Sequence, residues 1–190
     1  HSNDTSVTCT SESPVQAVEN NDVTNSIYTA IHYVENTAAG AKTWTRNQPS
    51  DDQTVTIAEY SGLKSGAGIL DKVLGTGQGF STSADSGNTA TISQADELLI
   101  GFTGFESAGS PATATGGFTE DIEDTGPASA MLASRTVATA AAYKNTATLQ
   151  PTPNWCCSIA TFLLVSIAKP DFNFRRRETR PGLFKPGLAR

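Results

Sequence analysis

The stretch SIYTAIHYV, residues 26–34, decides the class of fold. Its apolar residues alternate, with Ile27, Ile31 and Tyr33 on one face and Tyr28, Ala30, His32 and Val34 on the other. A period of two belongs to a strand, and the β-branched and aromatic residues that fill the stretch fit a pleated surface. Runs of the same kind recur at AKTWTR (41–46), QTVTIAEYS (53–61), ELLIGFTGF (97–105), FTEDIED (118–124), SAMLASRTV (129–137), YKNTATL (143–149) and WCCSIATFLL (155–164). Shorter ones lie at SVTCT (6–10), VQAVE (15–19), FSTSA (80–84) and TATIS (89–93). Gly, Asn, Asp, Ser and Pro separate them, so the expected protein is all-β, with roughly ten to twelve short strands in an antiparallel sandwich.

Only residues 128–145 compete for helix, because Ala, Leu, Met, Arg and Lys favour it. Thr136, Val137 and Thr139 are β-branched and neither helical face is cleanly apolar, so strand, loop, strand is the reading preferred. The most apolar stretch, residues 155–168, is too short to cross a bilayer as a helix and reads as a buried strand pair. The run GTGQGF, residues 75–80, imitates a phosphate loop but lacks the P-loop lysine and the following helix, so it reads as a flexible turn.

The 190 residues suffice for one domain with a hydrophobic core. Apolar residues at 37% and charged residues at 17% leave a Thr-, Ser-, Ala- and Gly-rich balance typical of β-rich proteins facing an external environment. The net charge of −6 is unevenly spread. Residues 175–190 carry six Lys or Arg against one Glu, or +5, leaving 7 minus 18, or −11, for residues 1–174. Such an acidic body repels nucleic acid and anionic membrane alike.

Three cysteines, Cys9 and the adjacent Cys156 and Cys157, have no zinc spacing, and an odd number excludes a fully paired framework. Neighbours on a strand face opposite ways, so at least one of the pair is read as a small buried hydrophobe; a disulfide from Cys9 is the lesser alternative. The chain begins with His1 rather than Met, which suggests removal of a preceding segment.

The chemistry-bearing residues are sparse. Only His1 and His32 are present, so any triad must use His32, which sits mid-strand without a nucleophile motif nearby, and no catalytic residue is assigned. The carboxylates Asp51, Asp52 and 120–124 read most simply as solvated turn and strand-edge charge. If the last group holds a cation it is calcium, through Asp121, Glu123 and Asp124; no metal or cofactor is assigned. Trp44 is the candidate for glycan contact if it faces outward, whereas Trp155 opens the most apolar strand and reads as core.

Taken in order, SIYTAIHYVENTAAGAKTWT, TVTIAEYSGL, ILDKVLGTGQGFSTSA, DELLIGFTGF, GGFTEDIE, MLASRTVATAAAYKNTATL and NWCCSIATF resemble a jelly-roll-like (concanavalin A-like) β-sandwich domain. That domain recurs in bacterial surface proteins and in structural proteins of tailed phages. The landmarks are Ala58 to Gly62, Asp96 to Phe102, Gly117 to Thr119, and Trp155 with Ala160 to Phe162, over residues 15–164. The resemblance implies a scaffold with no single activity, so function is sought in its surface and appendage. Family members usually carry further strands before the equivalent of residues 26–34, so a neighbouring subunit is a possible source of an edge strand here.

The domain is expected to span residues 1–168, followed by an extended arm, 169–190, in which Pro181, Gly182, Pro186 and Gly187 forbid regular structure. Phe172, Phe174, Leu183, Phe184 and Leu188 interleave with Arg175, Arg176, Arg177 and Arg180, a pattern suited to lying on an acidic, apolar partner surface. The expectation is a non-enzymatic structural assembly protein, a capsid decoration or cement protein of a tailed-phage virion, docking through this arm on copies of itself and other structural proteins. The alternatives are an extracellular bacterial surface or filament subunit joined by strand exchange, and a glycan-binding adhesin module. All of these place the protein on a virion surface or outside a cell.

Overall fold

The structure is a computed structural model that describes residues 6–46, 54–66, 68–106 and 111–165. The chain runs through β1 (Val7–Cys9), β2 (Val15–Asp22), β3 (Ile27–Tyr33), β4 (Trp44–Arg46), β5 (Leu70–Phe80) and β6 (Ser83–Asp85). It continues through β7 (Glu97–Phe105), β8 (Ala112–Thr115), β9 (Thr119–Asp124), β10 (Ser129–Val137), β11 (Thr146–Leu149) and β12 (Asn154–Leu163). No helix occurs among the described residues. Every strand pairing is antiparallel.

A five-stranded sheet of order β5-β12-β7-β10-β9 forms the middle of a β-sandwich-like arrangement. On one face, Leu99 and Phe105 of β7, Met131 of β10, and Trp155, Cys157 and Ile159 of β12 pack with Ala84, Ala112, Ala147 and Leu149 of the sheet β6-β11-β8. On the other, Leu98 and Ile100 of β7, Leu132 of β10, and Ala160 and Phe162 of β12 pack with Val18 and Ile31 of the β2-β3 hairpin. Because both faces are covered, β7, β10 and β12 carry nearly unbroken buried runs rather than a polar alternation.

Buried polar groups tie the layers in register. Asn20 of β2 donates its Nδ2 to the carbonyls of Gly77 at 2.6 Å and Cys157 at 3.1 Å. The hydroxyls of Thr29 and Ser158 meet at 3.2 Å across the hairpin interface. On the opposite face Asn145, fully buried, donates to Thr103 Oγ1 at 3.2 Å. Hydrogen bonds of this kind in a low-dielectric interior favour one packing over sliding alternatives, although the Asn145 Oδ1 has no partner among the described residues.

Several elements differ from the sequence expectation. The GTGQGF run is not a turn but the second half of β5, and its glycines mark close approach of other chains. A Cβ on Gly75 would lie 2.4 Å from the Glu19 carbonyl oxygen, and one on Gly77 would lie 2.1 Å from that of Asp85. Residues 155–164 contribute one long strand rather than a pair, because β12 pairs with β5 on one side and β7 on the other. TATIS forms no strand, although Ile92 is buried, and residues 54–60 belong to no strand ladder. The glycines Gly116 and Gly117, at φ 64° and 83°, turn the chain from β8 into β9. Of the strand, loop, strand expected over residues 128–145, the run holds β10 and the loop, and the second strand begins only at Thr146.

All three cysteines are free. Cys156 and Cys157 are both fully buried on opposite faces of the central sheet. Burial pushes their thiols up to about 11 and about 12, which keeps them protonated and unreactive.

Glu97, at the start of β7, is also fully buried. Burial raises its carboxyl above the ordinary range, and the negative charge of Asp71 raises it further. Burial opposes ionisation of Asp71 too, but hydrogen bonds from Lys72 and Ser93 outweigh it and hold that carboxyl low. The raised Glu97 favours the fold while protonated, and that contribution is lost as pH rises from the ordinary glutamate range through its folded value. Asp71 acts in the opposite window, its contribution being lost as pH falls below the ordinary aspartate range. Glu97→Gln is therefore expected to flatten the decline in melting temperature that sets in as pH rises above the ordinary glutamate range, while leaving the acid limb in place. A decline as steep as that of the parent chain contradicts the assignment.

Candidate functional site

The β2-β3 hairpin lies over β5, β12 and β7 and stops there. Among the described strands β3 pairs with β2 alone, so its outer edge presents backbone N–H and C=O groups without a ladder partner. Across from that edge, residues 54–60 line the same sheet face. Tyr60 donates its hydroxyl to Asp121 Oδ2 at 2.7 Å, and Thr54 donates to Asp124 Oδ2 at 3.1 Å and to the Ala128 carbonyl. The segment is thereby fastened to β9 and to the turn before β10, not to β3.

Between β3 and this segment lies a cleft of about 630 Å³. Its floor is formed by the central sheet, with the buried Leu98 and Ile100 and the partly buried Phe102 from β7, Leu132 from β10 and Phe162 from β12. Tyr33 closes one wall and meets Phe162 edge-on, with ring centroids 5.4 Å apart. Residues 54–60 form the opposite wall, where Val55 and Ile57 are more than half exposed. Lys42, Trp44 and Arg46 stand at the rim.

The rim groups give the cleft little acid–base capacity. Burial, partly offset by Glu19, lowers the imidazole of His32 below its ordinary range, so this wall residue is neutral at pH 7. Lys42 is engaged by Glu12 at 2.6 Å. Burial and the bond to Asp121 raise the phenol of Tyr60, which stays protonated. What the arrangement offers is an apolar, aromatic trough beside an open strand edge, suited to an extended segment that inserts side chains and pairs its backbone.

The sequence candidates fall in different places. Trp44 lies half-buried at the rim, not on an open flat surface. Trp155 is core, 6% exposed, with its indole N–H donating to Ser81 Oγ at 3.1 Å. Asp121, Glu123 and Asp124 share β9, but each accepts from a protein donor: Tyr60, the Ala112 amide, and Thr54 with the Gly126 amide. Among the described residues no group of three His, Cys, Asp or Glu side chains is placed to hold a metal ion. His1, Asp51, Asp52 and the arm residues Phe172, Phe174, Arg175, Arg176, Arg177, Arg180, Leu183, Phe184 and Leu188 lie outside the described residues.

Sequence reading did not anticipate the cleft, since Leu98, Ile100 and Phe102 look like ordinary core positions. The available signal was a strand-like run, TVTIAEY, whose partner strand no sequence pattern identified. No family model, curated protein or solved structure matches this chain.

Proposed function

We propose that this chain is a non-enzymatic structural subunit of a large particle, a jelly-roll-type β-sandwich that serves as a capsid decoration or cement protein of a tailed-phage virion. It docks through its C-terminal arm, and it acts on the virion surface. The observation that carries this reading is a contrast within one chain. The body is acidic and its central sheet is packed on both faces and borders an apolar trough, while residues 175–190 are basic at +5 and interleaved with apolar residues. Complementary charge steers such partners together and apolar anchors hold them. The ordered motif series that resembles a domain of phage structural proteins supports the choice of particle.

One observation favours a second reading. The open edge of β3 is suited to strand exchange, which would join copies into an extracellular filament. Immunogold electron microscopy of the native source separates the two. Label on capsids is the expected result, and label on cell-surface filaments replaces the first reading by the second. Binding on a glycan array that Trp44→Ala abolishes would instead favour an adhesin.

A further inference from the structure

We propose that the cleft beside β3 is the receptor for the C-terminal arm of a second copy of this chain, with Phe172 and Phe174 as its anchors. The inference rests on the assembly reading above and names the surface that reading lacks. Two phenylalanines two residues apart share one face of an extended segment, about 7 Å from each other. A floor of Leu98, Ile100, Phe102 and Leu132 is apolar enough to take them, and the free edge of β3 is available to the backbone between them.

Charge fixes which segment fits. Directly behind the wall formed by residues 54–60 runs β9, with Glu120, Asp121, Glu123 and Asp124. Among the described residues none of these four carboxylates is ion-paired with Lys or Arg. In the arm Arg175, Arg176 and Arg177 follow Phe174 at once, so seating the phenylalanines brings the guanidinium groups toward that strand. An acidic outer strand also discourages unspecific edge-to-edge pairing of the central sheet, which leaves a basic segment as the partner it admits.

The described chain ends beside the cleft. Phe162 of β12 lines its floor, Leu164 bridges to Leu63, itself a lining residue, and the Val165 amide donates to the Gly62 carbonyl at 2.9 Å. The assignment to a neighbouring copy rests on the assembly reading, in which the arm joins one subunit to the next.

The test uses full-length chains in which Phe174 is replaced by the photo-cross-linker p-benzoylphenylalanine. Isotopically light and heavy chains are mixed, irradiated and mapped by mass spectrometry. Cross-links between light and heavy chains, joining position 174 to residues 54–60 or to β7, are the expected result. Links confined within single chains overturn the neighbour assignment, and links between copies that fall elsewhere overturn the cleft while leaving assembly intact. In parallel Ile57→Asp, at a position 53% exposed, is expected to weaken self-association about tenfold or more without unfolding the chain. Association equal to that of the parent contradicts the proposal, and failure of the parent itself to associate contradicts the assembly reading.

Discussion

Replacing Gly77 by alanine is expected to destabilise the fold by about 3 kcal/mol or more, lowering the melting temperature by roughly 6–12 °C. The reason is backbone against backbone. A Cβ at this position would lie 2.1 Å from the Asp85 carbonyl oxygen and 2.6 Å from the Ser86 Cα, with no flexible side chain to yield. The substitution must separate β5 from the end of β6, and the Gly77 carbonyl also receives the Asn20 amide that ties the hairpin to the central sheet. Gly79→Ala is the matched control, because there the added methyl meets only the Trp155 ring at 3.0 Å. Its expected cost is smaller, and equal losses at the two sites in urea unfolding would refute the close-approach account of β5.

Trp155→Ala is the second large effect, with an expected loss of about 3–5 kcal/mol. The indole joins the core between the five-stranded and three-stranded sheets, donates to Ser81 and covers Gly79. Its removal leaves a cavity between two sheets whose pairing on either side resists collapse, which puts the cost toward the upper end. Calorimetry checks the size, and Trp44 remains as a fluorescence reporter in the variant. A loss below about 1 kcal/mol would mean that the two sheets close over the gap.

The strand reading succeeded at residues 97–105, which form β7 over those bounds where aromatic and β-branched content agrees with flanking turn residues, and at 129–137, which form β10 between β7 and β9 despite a helix-favouring composition. It failed at β5, where the alternating glycines Gly75, Gly77 and Gly79 were read as local flexibility. Their cause is tertiary: neighbouring elements press so close that no side chain fits. It failed again at residues 54–60, whose composition suits a strand but whose side chains are held by Asp121 and Asp124 instead of a ladder. The cleft follows from that one displacement. It was illegible because it exists only where a segment that looks like a strand stands off from the edge it resembles.

The candidate residues divide in the same way. The burial of Cys156, Cys157 and Trp155 was readable from an apolar run. The carboxylates of β9 looked like a calcium cluster in one dimension, yet across a bulge in this strand Asp121 and Asp124 both accept from residues 54–60, while Glu123 accepts from the Ala112 amide of β8. Their free charge gains meaning from the +5 carried by residues 175–190, a relation visible in the sequence as asymmetry and in the structure as the position of β9 behind the cleft.

Sedimentation velocity on the full chain and on a chain ending at Val165 tests the central claim most directly, with circular dichroism to verify that both are folded. The account predicts that the full chain associates with rising concentration, less so at high salt as the arginine contacts are screened, while the shortened chain stays a monomer of unchanged β content. Identical sedimentation of the two folded chains at every concentration would contradict it.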